Sequence, residues 1–337
     1  MKRFLFAAYL FGFYSAVSAQ TFPKELNLTT QNMIWRTATN EFWSFNGKTL
    51  QTFNSNSFKE IPEMKGEQPD LLSAAFLWTS QKGVLNSMGG RNEKGFPNSF
   101  HYQYSTAENT WKKLPLPKEI NPDSKMCFWA NETQLWVLVS DFNFQNPQKP
   151  QLWIWENEKW RKVEKLEGAY PSETSDASTW MGSDGQLYLY GGLIFDGKRY
   201  GKTDEFWCYS PAQNQWTLLN HKGLIGEHTT LFGAFHPDNW PGIRLKAATW
   251  TSPDGSLYLM GGKTQISEEQ ITFDTLIWQY SIDKKQWSIH IPETKAAILS
   301  ATHSFPSDKG VLLFGARLLN ADGSLKSSDS PLTLNLP

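Results

Sequence analysis

The residues of this chain that could do chemistry are few, and most gather in one stretch. His221, His228 and His236 fall within sixteen residues, a density of imidazoles that can hold a metal ion. Their spacings of seven and eight are not those of short zinc motifs, and no His-Glu-x-x-His accompanies them, so no metal site is expected. Just beyond stand Trp240 and Arg244. The guanidinium of Arg244, with five donors, suits an anion or sugar contact, and equally a positioning bond to nearby loop carbonyls. His303 lies near the start of a strand pattern, where it either faces a channel or plays a hydrogen-bonded structural part. Cys127 and Cys208 fall inside strand patterns and read as buried thiols. The acid pairs Asp204-Glu205 and Glu268-Glu269 read as solvated faces rather than a general acid and base. No nucleophile elbow, phosphate loop or zincin motif occurs. The reading therefore carries no catalytic residue and no cofactor, and its ligand-binding candidates are Arg244, His303, His228, His236 and Trp240.

The elements that must position these side chains are strands. Between Trp240 and Trp287 the sequence NWPGIRLKAATWTSPDGSLYLMGGK is followed by a polar loop and by LIWQYSIDKKQWSI. AATWT and SLYLM are hinged at Asp254-Gly255, a pair suited to a tight hairpin because glycine accepts positive φ. The Gly261-Gly262 pair closes the second strand, and two further strands turn on Asp283-Lys284-Lys285. The whole is a four-stranded meander of about fifty residues, a period that calls for a search for repeats.

The repeats are countable. Trp250 stands eleven residues before Gly261, Trp180 eleven before Gly191 and Trp78 eleven before Gly89, so the pairs Gly261-Gly262, Gly191-Gly192 and Gly89-Gly90 share one register. The same ruler places Trp129 before Ser140-Asp141 and Trp35 before Asn46-Gly47, where the glycine pair has decayed, and a sixth unit shows at Gly315-Ala316. The second halves repeat too. YSTAENTW, YSPAQNQW and YSIDKKQW run seven residues from Tyr to Trp and end at Trp111, Trp216 and Trp287, with a shorter WENEKW ending at Trp160.

A diglycine after the second strand, an aromatic in the third and a Trp in the fourth resemble the kelch repeat across essentially the whole mature chain. That resemblance implies an all-β fold, a six-bladed β-propeller in which the glycine pairs and the terminal Trp residues are structural. The segment with Asn239, Pro241, Gly242 and Arg244 is similar to secreted kelch proteins of the galactose-oxidase-like group. That oxidase's chemistry needs copper held by two Tyr and two His, with one Tyr crosslinked to Cys. Cys127 and Cys208, both in strands, do not supply that set, so the likeness carries the repeat without the copper site.

Composition and the ends of the chain complete the expectations. A net charge of −1 over 337 residues suggests neither nucleic acid nor an anionic membrane surface as partner. Sixteen Trp and 15 % aromatic residues, recurring at strand positions, fit a β protein. Residues 1–19 have a basic start, a short apolar run and a small-residue end, the pattern of a signal peptide, so the mature chain is expected to be secreted or periplasmic, without stable membrane insertion. Residues 20–337 are read as one propeller with blades at about 32–62, 73–116, 125–165, 175–220, 245–291 and 299–336. The segment 21–28, TFPKELNL, mirrors WKKLPLP and would complete the last blade, leaving no unpaired edge. Asn27 and Asn131 begin N-glycosylation sequons, meaningful in a eukaryotic secretory route. The expected function is binding of a protein or a glycan at a channel mouth, where loops between blades and loops between second and third strands converge. The register sets Arg244, Thr174, Leu71 and Asn121 or its neighbours there. The other reading is a carbohydrate-active enzyme resembling the periplasmic sialic-acid epimerases, for which no Arg and Glu set can be matched.

Overall fold

The computed structural model describes residues 22, 28, 31–54, 57–142, 149–164, 168–195, 200–223, 231–265, 271–292, 297–307, 310–320, 322, 324–328 and 330–336. Within them the chain is built almost wholly of strands, with one single-turn 3-10 segment at Gln81–Gly83. Six antiparallel meanders follow one another. The first spans 33–61, the second 76–115, the third 125–162, the fourth 178–220, the fifth 248–290 and the sixth 303–335. The first five have four strands paired in chain order, and the sixth shows three.

The repeated residues have physical reasons to recur. The tight hairpins turn on glycines held at positive φ, Gly185 at 75° and Gly255 at 85°, each preceded by an Asp. The Tyr-to-Trp spacing is a cross-strand pair with a turn between. Tyr104, Tyr209 and Tyr280 lie directly opposite Trp111, Trp216 and Trp287, with ring centroids 5.1, 5.2 and 5.1 Å apart. Two residues before each Trp the backbone is left-handed, at Asn109, Asn214 and Lys285, a conformation that asparagine accepts more readily than most residues. In the first two cases the tyrosine hydroxyl also bonds that asparagine, at 2.6 Å for Tyr104 and 2.9 Å for Tyr209. These three tryptophans are buried, whereas Trp160, paired with Trp155, is only half-buried.

The first-strand tryptophans join one sheet to the next. The indole N–H of Trp35 donates to the carbonyl of Asn86 at 2.6 Å, that of Trp129 to Tyr188 at 2.8 Å and that of Trp180 to Tyr258 at 2.7 Å. Each donor sits in a first strand and each acceptor in the second strand of the following sheet. Phe76 of the second sheet stacks on Phe128 of the third at 5.0 Å, and Ser304 of the sixth donates to Thr249 of the fifth at 2.6 Å. The sixth sheet also meets the first. His303 Nε2 lies 3.2 Å from the carbonyl of Asn32, Arg36 donates to the carbonyl of Pro306, and Phe305 and Phe314 pack against Phe42.

Three small sheets were not expected from the sequence. In the fourth, fifth and sixth units the loop between second and third strands rises as a hairpin that pairs with a short strand ahead of the first strand. They join Glu173–Ser175 to Leu193–Phe195 and Tyr200–Lys202, Arg244–Leu245 to Lys263–Gln265 and Ile271–Phe273, and Ala297–Ser300 to Arg317–Leu319 and Leu325–Ser327. The segments between expected blades, 166–174 and 292–298, are therefore partly strand, at Glu173–Ser175 and Ala297–Ser300. The linker 63–72 also holds a short strand, Lys65–Gly66, parallel to Thr110–Trp111.

Of the expected N-terminal strand 21–28, only Phe22 and Leu28 are among the described residues. Both lie in a cluster between the first and sixth sheets with Phe42, Phe53 and Phe314, Phe22 at 6.0, 5.7 and 6.2 Å from those three rings. The expected signal peptide, Asn27 and His228 lie outside the described residues.

Candidate functional site

Around the second, third and fourth sheets, the loops between successive sheets and the loop between second and third strands lie side by side at one end. Four residues ahead of each first-strand Trp, or its equivalent, the chain turns from its lead-in segment into the first strand. The residues at that corner are Gln31, Ala74, Lys125, Asp176, Lys246 and Ser300. Ala74, Asp176 and Lys246 occupy left-handed backbone with φ of 54°, 56° and 56°. Non-glycine residues in that region are strained by about 1 to 3 kcal/mol each, and such strain tends to cluster at functional sites. Their side chains face outward, with Ala74 and Lys246 exposed and Asp176 partly so, and Lys125, on ordinary strand backbone at the same position, is exposed as well.

On three consecutive sheets the corner therefore reads Lys125, Asp176, Lys246. Lys246 N donates to the carbonyl of Asp176 at 3.0 Å, and its Nζ lies 3.7 Å from Asp176 Oδ1. A contact that long between exposed groups contributes little stability and leaves both charges able to engage a ligand. Beside them Arg91 pairs with Asp123 at 2.9 Å and donates to the carbonyl of Gly95 at 2.8 Å. A cavity of about 270 Å³ opens here between Arg91, Asp123, Lys125 and Asp176, with Met126 and Phe128 among its apolar lining. The stack of Phe128 on Phe76 fixes that aromatic ring in place. The arrangement is a charged rim over an aromatic wall.

The residues singled out from the sequence lie elsewhere. Arg244 is fully buried. Its Nη2 donates to the carbonyl of Pro241 at 2.6 Å and pairs with Asp274 Oδ2 at 2.7 Å, so the guanidinium holds the lead-in of the fifth sheet to its inserted hairpin and presents no face to solvent. The corner is set two residues later, at Lys246, because Arg244–Leu245 is engaged as a strand. Thr174 is buried for the same reason. Trp240 is buried against Tyr190 and Trp287, with its indole donating to Asp204 Oδ2 at 2.8 Å.

His236 accepts from the backbone N–H of Asp238 at 3.2 Å, and its own N–H donates to the carbonyl of Trp287, fastening the long loop onto the fifth sheet. His303 sits at the contact between sixth and first sheets, and packing around its ring lowers its pKa to about 4. His221 lies 3.1 Å from the buried Asp204. Among the described residues no three His, Cys, Asp or Glu side chains converge on a point where a metal ion could sit. Cys127 and Cys208 are free and buried, and burial pushes both thiols up to about 12.

The chain matches no protein-family model. Its functional residues must be argued from geometry. The sequence reading passed over Asp176 and Lys246 because neither belongs to a motif. The available signal was register: both stand four residues before a ruler Trp, as do Ala74 and Lys125.

The glycine pairs stand behind this rim, and their backbone needs no side chain. Gly90, Gly192 and Gly262 have φ of 79°, 106° and 80°, and a Cβ on any of them would come within 2.7 Å of the carbonyl of Ser73, Ser175 or Leu245. Glycine there lets the second strand approach the lead-in segment of its own sheet.

Proposed function

We propose that the six sheets are the blades of a kelch-type propeller, and that this exported protein binds a glycan or a glycan-bearing protein at the mouth framed by Lys125, Asp176 and Lys246. The order of contacts supports the propeller: each sheet touches its successor, and the sixth touches the first through His303, Arg36 and the Phe42 cluster. Phe22 and Leu28 at that same junction support a seam completed by the N-terminal segment. The single observation that carries the binding reading is the row of outward side chains of alternating charge, Lys125, Asp176 and Lys246, of which Lys125 and Asp176 line the cavity together with Phe128. A sugar ring offers an apolar C–H face and a rim of hydroxyls, and ligand sites commonly join apolar walls to a few fixed polar groups. The cavity of about 270 Å³ has room for a single ring, with further residues lying across the exposed rim.

An epimerase-like enzyme would want several Arg and Glu side chains turned into one mouth. This mouth carries one Arg, two Lys and two Asp among the residues named here, and Glu173 is buried behind it, so binding remains the favoured reading. A glycan array on the mature chain, followed by titration of the best ligand, tests it. Lys246→Ala and Asp176→Ala, both at exposed or partly exposed positions, should each weaken binding about tenfold with little change in thermal stability. An array without any ligand, or a ligand indifferent to both changes, would refute the assignment.

A further inference from the structure

The larger cavity described lies at the opposite end. It measures about 570 Å³, within the usual range for small-molecule sites. Every described residue lining it belongs to the turn between first and second strands of a sheet, or to the adjoining part of a first strand, and among them five of the six sheets contribute.

Two cations face this space. Arg36 is held by two residues of the same lining: it donates to the carbonyl of Pro306 and, through Nη2, to Asn40 Oδ1 at 2.7 Å, so its guanidinium is fixed in direction before any ligand arrives. Lys82 stands at the tip of the 3-10 turn of the second sheet in left-handed backbone, with φ of 64°. It is exposed and has no ion pair among the described residues. That turn is itself anchored, because Gln81 N donates to the carbonyl of Glu132 on the third sheet at 2.8 Å. Among the described lining residues Glu132 supplies the one carboxylate, Ser80 and Gln81 add neutral hydrogen-bonding groups, and Phe305 and Pro253 add apolar surface.

We infer that this hairpin-end cavity is a second binding site, separate from the rim at the other end, and that it takes a small organic anion bearing hydroxyl groups. Two cations against one carboxylate among the described lining residues favour the negative charge, a guanidinium and an ammonium suit carboxylate or phosphate oxygens, and the side-chain amides and hydroxyls suit the remaining oxygens. Lys82, in left-handed backbone that a lysine seldom adopts, lines the same space.

The probes are gluconate, a hydroxylated carboxylate, glucose 6-phosphate, a hydroxylated phosphate, and neutral glucose, titrated calorimetrically into the mature chain. One or both anions should bind with sub-millimolar to millimolar Kd while glucose does not. Lys82→Gln should weaken that binding about tenfold and leave the melting temperature unchanged, its side chain being exposed. Lys246→Gln, at the far end, should leave anion binding unaltered. Absence of binding by both anions at about 10 mM would overturn the inference, as would binding that survives Lys82→Gln or equal binding of glucose. Binding lost with Lys246→Gln instead would assign the anion to the other mouth. The far-end glycan reading stands or falls separately, on ligands sensitive to Lys246 and Asp176 and indifferent to Lys82.

Discussion

Sheets two and five are built on one repeat, yet they hold their corners by different means. In the fifth sheet the loop after the glycine pair is an inserted hairpin, and Asp274 at its foot is buried. It accepts from Leu276 N at 2.9 Å and Trp278 Nε1 at 3.0 Å and pairs with Arg244 at 2.7 Å. In the second sheet the corresponding corner is Asn98, which donates to the carbonyls of Gly89 and Phe100 and accepts from Phe100 N. The neutral amide suffices where the loop is short. In the fifth sheet, where a hairpin and a lead-in strand are tied together, a buried ion pair takes its place. In the fourth sheet the same corner is the neutral Thr203, whose N–H donates to Gly192 O at 3.1 Å and whose Oγ1 accepts from Glu205 N at 3.1 Å, and a buried carboxylate stands one residue on, at Asp204, taking the indole of Trp240 and the N–H of Gly223. Of these three corners, the fifth sheet's is the one built on a fully desolvated ion pair.

The sharpest way to break this comparison is to remove one partner of each corner. Asp274→Ala strands the Arg244 guanidinium in the core and should cost about 3 to 5 kcal/mol. Asn98→Ala should cost about 1 to 2 kcal/mol. Urea unfolding of the two variants gives the answer directly. Equal losses would mean that the ion pair is no more than another hydrogen bond.

A second contrast uses the fourth-strand tryptophans. Trp216→Ala removes a ring that is 1 % exposed and should cost about 3 to 5 kcal/mol. The half-buried Trp160 of the third sheet should cost about half as much on truncation to Ala. If Trp216→Ala melts like the parent chain, the buried Tyr209 and Trp216 pair is not a stabilising element of its sheet.

Glycine substitutions sharpen the comparison further. A Cβ on Gly261 would lie 2.3 Å from the carbonyl oxygen of Leu299 in the next sheet, whereas on Gly89 it would meet only the ring edge of Phe128 at 3.1 Å. Both have φ of 68°. Gly261→Ala should therefore lose about 3 kcal/mol and Gly89→Ala about 1 kcal/mol, read as a difference in denaturant midpoint.

These differences show what a sequence of this kind displays and what it hides. The Trp-to-glycine spacing was legible because it records two covalently local facts, strand length and a backbone that tolerates no Cβ. The Tyr-to-Trp spacing was legible for the same reason. In the third sheet the tie between sheets survives in other atoms: Ser140 Oγ accepts from Thr174 N at 3.0 Å, where Gly192 N donates to Arg244 O at 2.9 Å one sheet later. That is why the glycine pair could decay there. The inserted sheets were hidden because LIF, KTQ and RLL are three-residue strands with no periodicity long enough to read. Arg244 drew notice as a lone charge beside a strand, but charge says nothing about burial, and its partner Asp274 lies thirty residues downstream. The corner residues Asp176 and Lys246 carry no motif at all. Only the structure shows that their backbone turns them outward.

The smallest expected effect concerns pH and again separates regions. His101 of the second sheet is fully buried, stacked on Trp78 at 5.1 Å with Nε2 bonded to Asn86 at 3.0 Å, and burial lowers its pKa to about 3. His303, between the sixth and first sheets, is lowered less, to about 4. Both are depressed below the ordinary 6.5 of a solvated imidazole, so the unfolded chain binds more protons than the folded one below that value. Stability contributed by the neutral rings is complete above pH 6.5 and falls as the pH drops toward 4 and then 3. His101→Gln should flatten that acid slope more than His303→Gln does. A slope unchanged by either substitution would assign the acid sensitivity to carboxylates.

The contact between His303 and the carbonyl of Asn32 joins residues 271 apart in the chain, and Arg36 reaches Pro306 across 270. At equilibrium so long a separation is cheap, because each doubling of a closed loop costs only about 0.6 kcal/mol. In time it is not. A chain delivered from its N-terminus completes its meanders one after another from local contacts, while the phenylalanine face of the first sheet, Phe42 and Phe53, waits for Phe314 to arrive. Until then that face is open to water and to other unfinished copies, the condition under which slow non-local pairing turns into aggregation. The first sheet to be made is the last to be covered, so the hour of greatest risk for this molecule falls just before the sixth sheet reaches it.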